Sequence, residues 1–340
     1  MLDPSALATR FERFAALEAD GHSRLYGRLA RAVAADRDLL SLAAHAAPGQ
    51  PAPNLFLAAV HHLLLGGVEH PLRRFYPSVD GHDRGDPAPA FRDFCRVRWE
   101  QLAALLATRR VQTNEVRRSA LLVPAIGAAW RRLGERPLAL VEVGAAAGLN
   151  LGWDRYGYRY VPQGSWGDRA SPLQLECEVR GGALPLPARV PPVAWRVGVD
   201  VSPIDVRDAD ATAWLRALIW PDQPERMTRL ERAIEMTGRD PPRLVAGDAL
   251  DVLPGLLEEA PPDAAVCVYH SFTLNQLSAA ARERFAALLA DVRARRPLAE
   301  VAIGGAPPSE SGFHPEIRLD GALLGRAEPH AGWIEWAARS

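Results

Sequence analysis

Lysine is missing from this chain: all 40 basic residues among its 340 are arginine. That removes every mechanism that needs a lysine amine, among them a Walker phosphate loop, a Schiff base and a kinase-type ion pair. Cysteine is scarce. Cys95, Cys177 and Cys267 lie far apart with no C-x-x-C spacing, which argues against a disulfide framework and a cysteine zinc site and predicts reduced, buried thiols. No apolar run approaches the ~18 residues of a membrane span, and charges thread the N-terminal text, unlike a signal peptide. We therefore expect a cytoplasmic protein with no membrane partner. An excess of charge is missing too: 40 basic against 41 acidic residues leave a formal net charge of -1, so no long-range field draws nucleic acid. The G-x-S-x-G elbow of α/β-hydrolases is absent, since Gly164-Ser-Trp-Gly167 lacks its spacing. His61, His62 and His70 stand in apolar helical text without carboxylate or cysteine partners at ligand spacing, and no metal is expected.

What is present is an ordinary globular composition, 48% hydrophobic and 24% charged, long enough for two domains at about 150 residues each. From Ser5 to near Gly134 the text reads as helices: Phe11, Phe14 and Leu17, then Leu55, Ala58, Ala59, His62 and Leu63, follow the helical period. A long helix is predicted from Thr113 or Asn114 to Arg132, kinked or split at Pro124. After Pro137 short apolar runs alternate with helices: Leu138–Val143, Trp195–Val201, Leu244–Ala246, Ala264–Tyr269 and Leu298–Ile303. This alternation predicts an α/β fold with a mostly parallel sheet covered on both faces. The runs Pro315–Leu319 and Glu328–Trp336 predict a C-terminal antiparallel hairpin. The expected division is an all-helical domain over 1–110 and a sheet domain over 111–340, the latter interrupted by insertions at 155–192 and 209–237.

Chemistry is expected where the strands end. Leu138–Val143 runs into Gly144-Ala-Ala146-Ala-Gly148-Leu-Asn150, a turn of small residues that admits a ligand close to the backbone and offers the N–H groups of a following helix. As a G-x-G-x-x-G dinucleotide fingerprint it places Ala146 and Leu149 where glycines belong. As an acidic-x-G-x-G-x-G loop it matches at Glu142, Gly144 and Gly148, with Ala146 in the middle position. Glu142 favours a ligand with a positive end over a bare pyrophosphate. Asp200 closes the next strand, where a carboxylate can accept from a ribose diol, and Asp248-Ala249 closes the third. His270 and Ser271 close the fourth, and His270 is the one histidine expected near chemistry.

Two resemblances follow. Glu142-x-Gly144 with Gly148, and the acidic strand ends Asp200 and Asp248, resemble the Rossmann-like S-adenosylmethionine-dependent methyltransferases. The chain as a whole resembles the bacterial family catalogued as domain of unknown function 2332. The carrying segments are Gln112-Thr-Asn114-Glu115-Val-Arg117-Arg-Ser, Glu142–Leu151, Trp153-Asp154-Arg-Tyr156, Trp166-Gly167-Asp168, Gly198-Val-Asp200, Trp220–Gln223, Gly247-Asp248-Ala249 and His270-Ser271. The first resemblance implies a methyltransferase with a small-molecule acceptor. S-adenosylmethionine would be held by Glu142, Gly144, Ala145, Ala146, Gly148, Asn150, Asp200, Val201, Asp248, Ala249 and His270. His270 would act as base with Asp168 or Asp154 behind it.

For several residues two readings stand. Asp200 and Asp248 serve a ligand or cap helices. Asn114 and Glu115 contact substrate or cap the next helix. Trp153, Tyr156 and Trp166, with Asp154 and Asp168, form a substrate lid or a satellite core. Two rival functions remain: a nicotinamide-dependent oxidoreductase, and a degenerate fold that binds a nucleoside or a partner without catalysis.

Overall fold

A computed structural model describes residues 4–305 and 314–337. Six helices come first: α1 (Pro4–Phe14), α2 (Arg24–Ala34), α3 (Arg37–Ala43), α4 (Ala52–Leu65), α5 (Ala88–Val97) and α6 (Trp99–Thr108). Then follow α7 (Ser119–Arg132), β1 (Leu138–Val143), β2 (Gly157–Val161), β3 (Gly164–Gly167), β4 (Gln174–Gly181) and β5 (Val193–Asp200). The chain continues through α8 (Ala209–Ala217), α9 (Pro224–Arg239), β6 (Arg243–Ala246), α10 (Ala249–Glu259), β7 (Ala265–Ser271) and α11 (Ala279–Arg293). It ends in β8 (Leu298–Gly304), β9 (Glu316–Leu319), β10 (Ala322–Ala327) and β11 (Trp333–Trp336). Among the described residues no helix is long and apolar enough to cross a membrane.

Backbone contacts divide the chain into two units. The helical unit holds the residues up to Thr113 together with Asp208–Thr228. Its centre is α4, buried along most of its surface from Leu55 to His61, as a helix apolar on every side must be. Phe11, Phe91 and Phe94 pack in the same core, Phe11 and Phe91 against the ring of Phe56 on α4 itself. The stretch expected as an insertion at 209–237 is divided instead. Trp214 and Ala217 of α8, and Leu218 directly after it, belong to this helical core, because their apolar surface is buried against it, and α8 packs on α4. Asp208 starts α8 as a side-chain cap, accepting from the Asp210 and Ala211 amides. Inside the unit His61 is buried with Nδ1–H donating to the Ala217 carbonyl at 3.0 Å and Nε2 accepting from Ser78 Oγ at 2.7 Å.

The sheet unit holds Asn114–Arg207 and the residues from Arg229 onward. It is α/β, with one mixed, mostly parallel sheet in the order β3-β2-β4-β11-β10-β9-β8-β7-β1-β5-β6. The strands β6-β5-β1-β7-β8 are all parallel. Chain order steps outward from β1 through β5 to β6, then reverses to β7 and β8 on the other side of β1. The alternation of side chains places Val141, Val143, Val197, Val199, Val266 and Val268 on one face against Leu253 and Leu256 of α10 and Phe285 and Leu289 of α11. After β8 the sheet turns antiparallel through β9, β10 and β11. The predicted terminal hairpin therefore has an additional strand, β10, whose exposed Ala322 and Leu323 blur the alternation. The expected insertion at 155–192 forms β2, β3 and β4, and β4 joins the sheet parallel to β11.

Helix α7 packs against β4, β8, β9 and the 3₁₀ turn Leu149–Arg155. Because three strands separate β4 from β8, the sheet curls around this helix, which is buried from Ser119 to Ile126. The helix begins at Ser119, not at Asn114, and runs unbroken past Pro124. Proline has no N–H for the carbonyl four residues earlier, and that carbonyl, on Ala120, accepts the Tyr160 hydroxyl at 2.8 Å.

Candidate functional site

The small-residue loop leaves β1 at the strand-order reversal, facing the turn that leaves β7. Gly144, Ala146 and Gly148 all have positive φ, 78°, 49° and 69°, a region open to glycine and strained for alanine. Gly144 also has no room for a Cβ, which would overlap Thr273. Thr273 Oγ1 donates to the Val143 carbonyl at 2.9 Å and ties the two turns together. Across the reversal Phe272 is itself at φ 63°, with its N–H on the Ile303 carbonyl and the Arg118 guanidinium 4.2 Å from its ring centroid. Strained backbone on both sides of one crevice is the pattern of a functional site.

The loop does not lead into an α-helix. Leu149–Arg155 is a single 3₁₀ stretch of 7 residues. Its carbonyls are captured by side chains, Leu149 by Tyr156 Oη at 2.6 Å and Leu151 by Arg196 at 2.6 Å, which stops the helix from continuing. The loop amides are also engaged. Gly144 and Ala145 donate to the Val199 carbonyl, Ala146 to Asp200 Oδ2 at 2.9 Å, and Ala147 and Leu149 to Asn114 Oδ1 at 3.2 and 3.1 Å. Asp200 is buried, and its other oxygen accepts the Ser202 amide at 2.9 Å. Its carboxylate clasps the ends of β1 and β5. Gly198 allows this closeness, since a Cβ there would lie 2.6 Å from the Ala145 methyl.

Below the loop, on the α7 side of the sheet, Glu142 is buried beside Asn150 and Tyr269. Burial, with the negative charge of Asp200 added, pushes its carboxyl well above the usual range, while Asn150 and Tyr269 offset part of the shift. Asn150 Oδ1 accepts from Ser119 Oγ at 2.8 Å. Glu142 and Asn150 therefore lie buried beneath the loop. Val201, next to Asp200, is 68% exposed and offers an apolar face at the sheet edge. Beside Ala147 lies a cavity of ≈ 260 Å³ walled by Pro203, Ile204, Val206, Pro242 and Leu244.

His270 faces the α11 side, edge-on to Phe285 at 5.9 Å, with Nε2 3.1 Å from Glu300 Oε1. Its partner is thus Glu300 of β8, and neither Asp154 nor Asp168. Asp154 is held by Arg196 through two bonds of 2.8 Å on the opposite face of the sheet. Asp168 is exposed after β3, accepting the Ala170 amide. Asp248 is exposed and caps α10 through the Leu250 amide at 2.8 Å, with Ala249 the first helical residue. Trp153 and Tyr156 are fully buried, and Trp166 stacks on Trp153 with centroids 6.3 Å apart. The aromatic segment is a satellite core and not a lid. Glu115 starts the turn Val116–Arg118 by accepting the Arg117 amide, and its other oxygen lies 3.5 Å from His330 Nδ1.

Over residues 8–336 the chain matches the family model described as "Uncharacterized protein conserved in bacteria", domain of unknown function 2332. It belongs to this family. No curated protein matches it significantly. The domain of unknown function 2332 match spans the loop, its Asn114 and Asp200 clasps and the His270–Glu300 pair alike. Sequence reasoning missed Thr273, Phe272, Arg118 and Glu300; only the polar text directly after the apolar run of β7 pointed toward the first two.

Proposed function

We propose that the sheet unit is a Rossmann-like domain that binds S-adenosylmethionine across the C-terminal ends of β1, β5 and β7 and serves the methylation of a small molecule in the cytoplasm. One observation carries the reading: strand order reverses between β1 and β7, and the small-residue loop and the strained Phe272 turn flank that reversal, which is where open α/β sheets bind ligands. The negative charge of Asp200 beside the loop suits a ligand with a cationic end. The cavity of ≈ 260 Å³ beside Ala147 is somewhat below the ~300 Å³ of whole-ligand pockets, which suits part of a ligand and not all of it.

When bound, the cofactor supplies a methyl group already activated on a sulfonium. The work left to the chain is alignment and, for a protonated acceptor, removal of one proton. His270, steadied by Glu300, is the group assigned to that proton. The near-zero net charge supports a small acceptor over nucleic acid.

A second reading is favoured by the filled amides of Ala146, Ala147 and Leu149: a scaffold that binds a nucleoside or a partner without turnover. Calorimetric titration with S-adenosylmethionine, S-adenosylhomocysteine and NAD(H) separates these. Micromolar binding of the first two with methyl transfer to an acceptor panel supports the enzyme; binding without turnover supports the scaffold. Preference for NAD(H) means an oxidoreductase, and silence from all three ends the ligand reading.

A further inference from the structure

Asn114 lies in irregular chain between α6 and the turn Val116–Arg118, half-buried, and its single side-chain oxygen accepts from two loop amides, Ala147 and Leu149. The loop alternates positive φ at Gly144, Ala146 and Gly148, the backbone pattern that turns successive N–H groups into a concave seat for an anionic oxygen. A carboxamide oxygen in such a seat is a neutral occupant where a carboxylate would bind more strongly. The neighbouring amide, Ala146, is already on the Asp200 carboxylate at 2.9 Å. A bare anion entering beside Asp200 would be repelled, whereas an α-amino-acid end presents an ammonium toward Asp200 and a carboxylate toward Ala147 and Leu149.

We propose that Asn114 occupies the seat of a ligand's α-carboxylate and gates the site, the amino-acid end binding by displacing the Asn114 side chain. This rests on the reading of the loop as a cofactor site and adds to it a built-in competitor. Asn114 is half-buried, lies outside the regular elements and belongs to neither hydrophobic core cluster, so its displacement unpacks no core side chain.

The test uses the full chain and two substitutions with opposite expected signs. Asn114→Ala empties the seat and should tighten S-adenosylhomocysteine by about tenfold, with no change for methylthioadenosine, which lacks the amino-acid end. Asn114→Asp keeps both amide bonds and adds a charge, and should weaken S-adenosylhomocysteine by about tenfold or more. If Asn114 only braces the loop, Asn114→Ala weakens both compounds and Asn114→Asp preserves binding, which overturns the gate. Amide exchange offers a ligand-free readout: Ala147 and Leu149 should exchange faster in Asn114→Ala than in the wild type, and equal rates refute the contact. If no variant binds either compound, the cofactor reading fails. Thermal shifts with free glutamate then decide the seat alone: stabilisation of Asn114→Ala but not Asn114→Asp keeps it, and no shift in either removes it.

Discussion

Glu142 sits one residue before the end of β1, buried under the loop with Asp200 nearby. Its carboxyl is raised in the folded state, so folding favours the protonated form, and the cost of holding that proton grows as pH rises above the 4.5 of the free group. Glu142→Gln should therefore be more stable than the wild type at pH 8 and nearly equal to it at pH 5. Thermal melts at the two values check this, and a variant that loses stability on going to pH 8 would contradict it. His61 has the opposite sign. Burial lowers its imidazole from 6.5 to about 4, so the unfolded chain takes up the proton first. The stability this neutral histidine allows is complete above pH 6.5 and declines as pH falls toward 4, by about 3 kcal/mol in all. Urea unfolding at pH 7 and pH 4 should show that much less pH dependence in His61→Gln. Asp200→Ala leaves the Ala146 and Ser202 amides without their acceptor, a loss of about 1–3 kcal/mol, and should weaken S-adenosylhomocysteine binding with it.

At the scale of elements, the strand ends meet through glycines. Gly198→Ala places a methyl 2.6 Å from both the Ala145 Cβ and a Leu244 methyl, and overpacking of this kind costs about 1–3 kcal/mol; a denaturation midpoint unchanged from the wild type would show that β5 and the loop have slack. Helix α7 makes a different prediction. Tyr160→Phe removes the donor to the Ala120 carbonyl and should cost about 1–3 kcal/mol. In a Pro124→Ala background the restored N–H can serve that carbonyl, so the cost should shrink. Additive losses in this double-mutant cycle would mean that the hydroxyl is not compensating for the proline. The parallel strands β1, β5, β7 and β8 were legible because each is a short, largely apolar run closed by Gly, Asp or Ser, as strands covered on both faces tend to be. The 3₁₀ turn Leu149–Arg155 was not: its text, Leu-Asn-Leu-Gly-Trp-Asp-Arg, reads as helix, and what stops it is capture of its carbonyls by Tyr156 and by Arg196 on β5.

For the molecule as a whole, charge balance sets solution behaviour: with a net charge of -1 and an isoelectric point near 6.8, self-repulsion vanishes close to neutrality. Solubility should pass through a minimum near pH 6.8 and rise by pH 8, which light scattering can follow. Periodicity and composition by themselves determined the helical first part, the α/β rhythm of the second, the lack of lysine chemistry and the position of the small-residue loop, because these depend on residues adjacent in the chain. Only the tertiary structure decided that α8 belongs to the helical core, that the aromatic segment extends the sheet, that His270 pairs with Glu300 across 30 residues, and that Asn114 and Asp200 fill the loop's amides from 33 and 54 residues away. Each of these is a contact between segments distant in sequence, chosen by which buried polar atoms must find partners once the sheet has curled around α7, and no local pattern carries that information.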